Sequence, residues 1–147
     1  MIRHYRASDK KHLIKLLELN SPSCFHPSEK ADFSQYLDNE TEQYYVYLNE
    51  QEILGCGGIN FGFDQGRTAR FSWDMVHPSF QGKHIGSQLV NHRISHLKTN
   101  TAIEYVVVRT TQMAYKFYLK FGFKLENIEK NYWETGFDLY YLVLKIK

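Results

Sequence analysis

The chain has 147 residues, 18 Lys plus Arg against 16 Asp plus Glu, and a formal net charge of +2. That length fits one domain, able to bury about two thirds of its unfolded surface, so no metal or disulfide staple is needed. The charge balance is too slight to make nucleic acid or an anionic membrane the main partner.

Two cysteines, Cys24 and Cys56, stand far apart in no metal-like or disulfide spacing. The N-terminus carries no apolar signal region, and no run approaches the ~20 apolar residues of a membrane helix. A soluble cytoplasmic protein is expected.

In chain order, 2–6 reads as a short strand. Ser8 or Asp9 then caps a helix with Leu13, Leu16, Leu17 and Leu19 as its apolar positions. After the break at Asn20-Ser21-Pro22-Ser23, Ser28 caps a second helix that runs to about Leu37. Strands follow over 44–48, 53–63 and 68–76, joined by turns at 49–52 and 64–66. Gly55, Gly57 and Gly58 allow a bulge or close backbone approach in the second of these. A helix from about Ile85 to Leu97, a strand over 103–108, a helix over 112–121 and a strand over 123–128 come next. Residues 131–136 read as a loop and 138–146 as the last strand. The order β-α-α-β-β-β-α-β-α-β-β describes a mixed α/β domain over 1–147.

The segment from Val76 to Ser87 carries the first chemical signal. A strand ends, a polar glycine-containing loop turns, and a helix begins. The first amides of a helix lack intrahelical partners and sit at its positive dipole end, an arrangement that suits a pyrophosphate. Gly82 lets phosphate approach the backbone, Lys83 adds charge and Ser87 a hydroxyl. The missing Gly-Lys-Ser/Thr and three-glycine patterns exclude a P-loop and a dinucleotide fingerprint.

The second signal is Thr110 to Phe123. Phe117 and Phe121 are four apart on one helix face, and Gly122 ends the helix. Tyr118 lies beside that face, so its hydroxyl is a candidate acid for a departing thiolate.

Together these segments resemble the GCN5-related N-acetyltransferase (GNAT) family. Gln81, Gly82, Lys83, His84, Ile85 and Gly86 match its phosphate signature, and Ala114, Phe117, Tyr118, Lys120, Gly122 and Phe123 match its later motif. The element order agrees over essentially the whole chain. The resemblance implies a splayed mixed sheet of about seven strands flanked by four helices. It also implies acetyl-CoA as co-substrate, no metal, and direct attack by a small-molecule or protein amine in a ternary complex. Asp74, Met75 and Val76 would then lie beside the pantetheine, the amides from Gly82 to Ser87 would hold the pyrophosphate, and Tyr118 would be the general acid. Two positions depart from the pattern. His84 replaces a glycine, where a helical φ/ψ is expected to tolerate its Cβ, and Thr111 replaces an Asn that caps the fourth helix.

The base stays open. Asp74 is a candidate, because strand alternation sets Ser72, Asp74 and Val76 on one face and Phe71, Trp73 and Met75 on the other. Glu29, His26, Glu134 or a water chain are the alternatives. The family resemblance puts the acceptor between the 20–27 and 131–138 segments. Phe25, Tyr132 and Trp133 would form an aromatic wall there, with Glu134 or Asp138 drawing in a cationic amine and Glu29 at the border. A homodimer through the last strands is an option the resemblance leaves open.

A catalytically silent acyl-CoA-binding regulator is the rival reading. The basic, histidine-rich run His77, Lys83, His84, His92, Arg93, His96 and Lys98 reads as a solvated face rather than a nucleic-acid surface. His92 and His96 lack a third ligand for a metal.

Overall fold

The computed structural model describes residues 1–147. Eleven elements follow in the expected order: β1 (Ile2–His4), α1 (Lys10–Leu19), α2 (Glu29–Asn39), β2 (Gln43–Asn49), β3 (Glu52–Phe63), β4 (Thr68–Val76), α3 (Ile85–Lys98), β5 (Tyr105–Thr110), α4 (Tyr115–Leu119), β6 (Lys124–Glu134) and β7 (Phe137–Lys145). The seven strands form one sheet in the order β1-β2-β3-β4-β5-β7-β6. Only β4 and β5 run parallel, and α3 supplies the crossover that a parallel pair requires.

The two faces of the sheet carry separate cores. On one face, Leu13, Leu16 and Leu17 of α1 and Phe33, Tyr36 and Leu37 of α2 pack on Tyr44, Val46, Cys56 and Met75. On the other, Ile85, Leu89, Val90 and Leu97 of α3 and Tyr118 of α4 pack on Ala69, Phe71, Val106, Val108 and Leu142. Leu19, expected among the apolar positions of α1, is exposed. Asp9 does not cap α1 through its side chain. Its carboxylate turns back to accept from Arg3 Nη1 and Nη2 at 2.8 and 3.0 Å and from the Arg6 amide at 2.8 Å, pinning β1 to the helix start.

Two boundaries differ from expectation. The stretch 131–136 is not a free loop: β6 continues to Glu134, and a turn at Thr135-Gly136 joins it to β7. Asn131 makes this possible by taking a left-handed φ of 55° while its Oδ1 accepts from the Gly136 amide at 2.8 Å. The fourth helix starts at Tyr115 rather than 112, because Gln112 is spent on this hairpin. Its Nε2 donates to Gly136 O at 2.7 Å and its Oε1 accepts from the Asp138 amide at 3.0 Å.

The feature that creates a site is the parting of β4 from β5. They pair only at Thr68–Tyr105, Ala69–Val106 and Arg70–Val107. Beyond that point β5 continues along β7 as far as Thr110, and the outer edge of β4 from Phe71 to Val76 has no neighbouring strand.

Burial holds several acids neutral. It pushes the Tyr44 phenol well above its ordinary range and the Cys56 thiol up to about 12. When unfolded, that thiol ionises near 8.5. Its stabilising contribution is therefore complete below about pH 8.5 and is lost as pH rises toward the folded value. Denaturant titrations from pH 8 to 12 should show stability falling more steeply in the parent than in Cys56→Ala, by up to about 1.4 kcal/mol per pH unit.

Candidate active site

The parting of the strands begins beside a bulge. Cys56 pairs with Met75 and Gly58 with Ser72, so Trp73 and Asp74 together face the single residue Gly57. Trp73 takes a φ of 51°, which a bulky side chain adopts only under constraint. Its ring is held among Phe33, Phe25 and Tyr36 at centroid distances of 4.9, 6.0 and 6.3 Å. Its carbonyl accepts from the Tyr44 hydroxyl at 2.7 Å.

The bulge breaks the expected alternation. Phe71 is not on the face of Trp73 and Met75; it shares the α3 face with Asp74, where the Arg93 guanidinium lies 3.9 Å above its ring. Ser72 belongs to the α2 side and donates to Asn60 Oδ1 at 2.7 Å, beside the Tyr36 hydroxyl, which donates to the same atom at 2.6 Å.

Asp74 is therefore not a solvated edge carboxylate. Arg93 Nη1 donates to its Oδ1 at 2.6 Å and Nη2 to its Oδ2 at 2.8 Å. The guanidinium is 1% exposed, and its other donors go to Gly58 O at 3.0 Å and Leu89 O at 3.1 Å. Burial alone would oppose its charge, but Asp74 outweighs that and raises its pKa. The Tyr118 hydroxyl, brought in by α4, donates to Asp74 Oδ2 at 2.7 Å. Burial first, and the Asp74 charge second, push this phenol well above its ordinary range, so it keeps its proton throughout the neutral region. Gly57 leaves room for the cluster: a Cβ there would meet Asp74 Oδ1 at 2.6 Å and Arg93 Cζ at 3.0 Å.

Arg93 was expected on a solvated basic face. Its sequence signal lies elsewhere: positions 85, 89, 93 and 97 form one helical stripe, and Ile85, Leu89 and Leu97 are its buried apolar members. A cation in the middle of such a stripe needs a buried anion.

The loop after β4 forms a shallow cradle. Gln81 is extended, Gly82 has a φ of 79°, and α3 starts after His84. The amides from Gly82 to Ser87 donate to no protein acceptor, so six successive N–H groups are free at the helix start. Lys83 Nζ lies 5.6 Å from the Phe80 ring. Gly86 is required for packing, since a Cβ there would meet Phe117 Cζ at 3.0 Å. Met75 is buried on the α1 side, and the Val76 carbonyl accepts from Asn20 Nδ2 at 3.2 Å and Gln81 Nε2 at 3.5 Å. Thr111 does not cap α4 with its hydroxyl; its carbonyl accepts from the Ala114 and Tyr115 amides, both at 3.1 Å.

The mouth of the opening gathers part of the expected acceptor set. Glu29 Oε2 accepts from the His26 amide at 3.1 Å. Burial raises the pKa of Glu29, and the charges of Asp32 and Glu134 add to the effect. His26 meets Phe137 edge-on at 5.5 Å, closing the α1–α2 loop against the β6–β7 hairpin. Trp133 Nε1 donates to Thr110 O at 3.2 Å, and Tyr132 packs edge-on against Trp133 at 5.0 Å. Phe25 is not part of that wall, because it stacks on Trp73 instead.

His84 departs from its expected helical backbone. Its φ of 66° and ψ of 14° are left-handed, a region where a Cβ costs roughly 1–2 kcal/mol. His84→Gly removes that strain but adds glycine's unfolded-state entropy, about 0.5–1 kcal/mol. Chemical denaturation should find His84→Gly more stable by about 0.5–1 kcal/mol.

No curated protein sequence matches the chain. Solved structures that share its fold include the following three. A protein from Desulfovibrio desulfuricans assigned to the GNAT family is 16% identical, with a TM-score of 0.85 over 100% of this chain and 99% of that one. An aminoglycoside 6'-N-acetyltransferase solved with coenzyme A is 17% identical, with a TM-score of 0.78 over 100% and 97%. The ribosomal-protein-S18-alanine N-acetyltransferase of Escherichia coli is 17% identical, with a TM-score of 0.82 over 100% and 94%. The sequence model of the acetyltransferase (GNAT) family matches residues 11–123, and the chain belongs to that family of acetyltransferases.

Proposed function

We propose that this single domain moves an acetyl group from acetyl-CoA to a primary amine by direct attack in a ternary complex. The observation that carries the reading is the Tyr118 hydroxyl, held 2.7 Å from Asp74 at the place where β4 leaves β5, with the free amides of Gly82 to Ser87 at the end of the same strand. Two of the structural neighbours are acetyltransferases named for amine acceptors, an aminoglycoside and a ribosomal-protein alanine. The cysteines are unpaired, which suits a reducing, cytoplasmic setting.

In this reading the amides of Gly82 to Ser87 bind the pyrophosphate, with Lys83 adding charge and Gln81 bordering the loop. The free edge of β4 at Met75 and Val76 lies along the pantetheine arm, and Thr111 lines its far side. The amine enters past Glu29, Trp133 and Glu134. The ammonium first gives one proton to water; as the neutral nitrogen then attacks the thioester carbon, the carbon–sulfur bond breaks and sulfur leaves with its electron pair. The nitrogen's surplus proton passes to Asp74, and sulfur takes the Tyr118 proton. The Asp74–Tyr118 hydrogen bond then returns one proton to the phenol, so the chain ends as it began. Arg93 holds Asp74 in place throughout.

Thiol release from acetyl-CoA with a panel of small amines tests this reading. Tyr118→Phe leaves the Arg93–Asp74 pair intact, and kcat should fall about 10²–10⁴-fold, the usual worth of a general acid. Because the Tyr118 pKa is raised, no alkaline loss of kcat from its ionisation should appear below about pH 10. Acetyl-CoA binding without release from any amine would instead establish a catalytically silent acyl-CoA-binding protein.

A further inference from the structure

The sheet also carries a pair of arginines, Arg70 and Arg109, that form no ion pair. Ala69 and Phe71 of β4 point into the α3-side core, so Arg70 between them points to the opposite face. By the same alternation Val106 and Val108 of β5 face α3, while Val107 and Arg109 face away. On β7, Leu142 faces α3, and Tyr141 and Val143 join the arginines. Arg70, Tyr141 and Phe63 line an open groove of about 490 Å³ on that face, beside the β6–β7 hairpin.

Every ion pair in the structure uses Arg3, Lys10, Lys30, Arg67 or Arg93, so neither Arg70 nor Arg109 has a carboxylate within 4.0 Å. Asp64 lines the groove but is taken by Arg67 at 3.0 Å, and Glu126 lines it without reaching either arginine. Arg109 Nη2 donates to the Tyr132 hydroxyl at 2.6 Å and its guanidinium lies 5.3 Å from the Trp133 ring. Arg70 stacks 3.9 Å from the Phe63 ring, and its Nε is the one buried side-chain nitrogen or oxygen in the chain without a partner. Arg70 makes no side-chain hydrogen bond to the protein at all, so its Nη atoms are left unspent where the residue lines the groove. The two guanidiniums also feel one another: burial lowers the Arg70 pKa and the Arg109 charge lowers it further. Holding two like charges together without an anion costs stability, and an arriving carboxylate relieves it.

The pair also lies where an acceptor would sit. Arg70 is the last residue of β4 paired with β5, opposite Val107, and Arg109 stands two residues further along β5, beside the opening. A small amino acid or dipeptide held there by its carboxylate would bring its amine to the parting of β4 and β5, where Asp74 and Tyr118 meet. We infer that Arg70 and Arg109 form the acceptor subsite for a carboxylate, and that the amine acetylated by this protein is a small one carrying that group. This rests on the acetyl-transfer reading above and replaces a purely cationic acceptor with a zwitterionic one, its amine end toward Asp74 and Tyr118.

The test is calorimetric binding, with coenzyme A present, of N-acetylated α-amino acids, ω-amino acids and dipeptides, each against its C-terminal amide. The parent protein should bind at least one acid about tenfold or more tighter than its amide. Arg70→Gln and Arg109→Gln should each reduce that preference toward one. Equal binding of acid and amide, or a preference that survives both substitutions, overturns the carboxylate subsite. Thiol release measured in parallel separates the two readings. Release with amines that show no preference for the acid sinks the subsite and leaves acetyl transfer standing. Arginine-dependent acid binding with no release from any amine sinks acetyl transfer and leaves a carboxylate site.

Discussion

One carboxylate ties this molecule together. Asp74 accepts two hydrogen bonds from Arg93 of α3 and one from Tyr118 of α4, while the same guanidinium donates to Gly58 of β3. Four elements thus meet within one hydrogen-bond network, all of it under the α3-side core. Burying a guanidinium is unfavourable unless its donors are filled, and here Nε, Nη1 and Nη2 each have an acceptor. Removing one member of such a pair leaves an uncompensated buried charge, typically at a cost of about 3–5 kcal/mol. The position of the candidate acid is therefore a property of the whole domain and not of α4, which is only five residues long.

The bulge that delivers Asp74 shows where periodicity stops informing. Alternation along 68–76 identifies a strand, and the structure agrees on its bounds. The same alternation misplaces Phe71, because one extra residue at Trp73 reverses every facing beyond it. The cause lies partly on other strands: Gly57 vacates the space opposite, and Phe25, Phe33 and Tyr36 accept the Trp73 ring. Arg93 is the opposite case. Its place in the 85, 89, 93, 97 stripe was visible, but its charge drew it to the solvent side. The motif residues 81–86 and 117–123 and the element order were legible, since glycine position and helix spacing are local properties. The length of β6 was not, because Asn131 reads as a turn residue yet serves a bulge inside a strand.

The loop before α3 trades backbone comfort for free amides. Gly82 at φ 79° and His84 at φ 66° both stand in the left-handed region on either side of Lys83. That winding keeps the loop carbonyls from capping the first turn of α3, so its amides stay unspent. Glycine meets the requirement at Gly82 without steric cost, whereas His84 bears a Cβ in the same kind of conformation. Histidine is among the residues that tolerate it best. Gly86 answers a different demand, clearance from Phe117, so the glycines of one motif serve two purposes.

The two arginine environments on β4 define the chemistry of its two faces. Toward α3, Arg93 is saturated, and its role is to fix a carboxylate. On the opposite face, Arg70 lies against Phe63 with Nε unpartnered, and Arg109 adds a second charge bound only to a phenol. An unsatisfied buried donor typically costs about 1–3 kcal/mol, which a domain tolerates where it gains something else. This cost falls on the half of the sheet that α1 and α2 leave uncovered, on the strands that have just begun to part. Structural charge and recognition charge are thus separated by a single strand. The bulge at Trp73 lets one β4 serve both, by turning Asp74 toward Arg93 while Arg70 still faces the open groove.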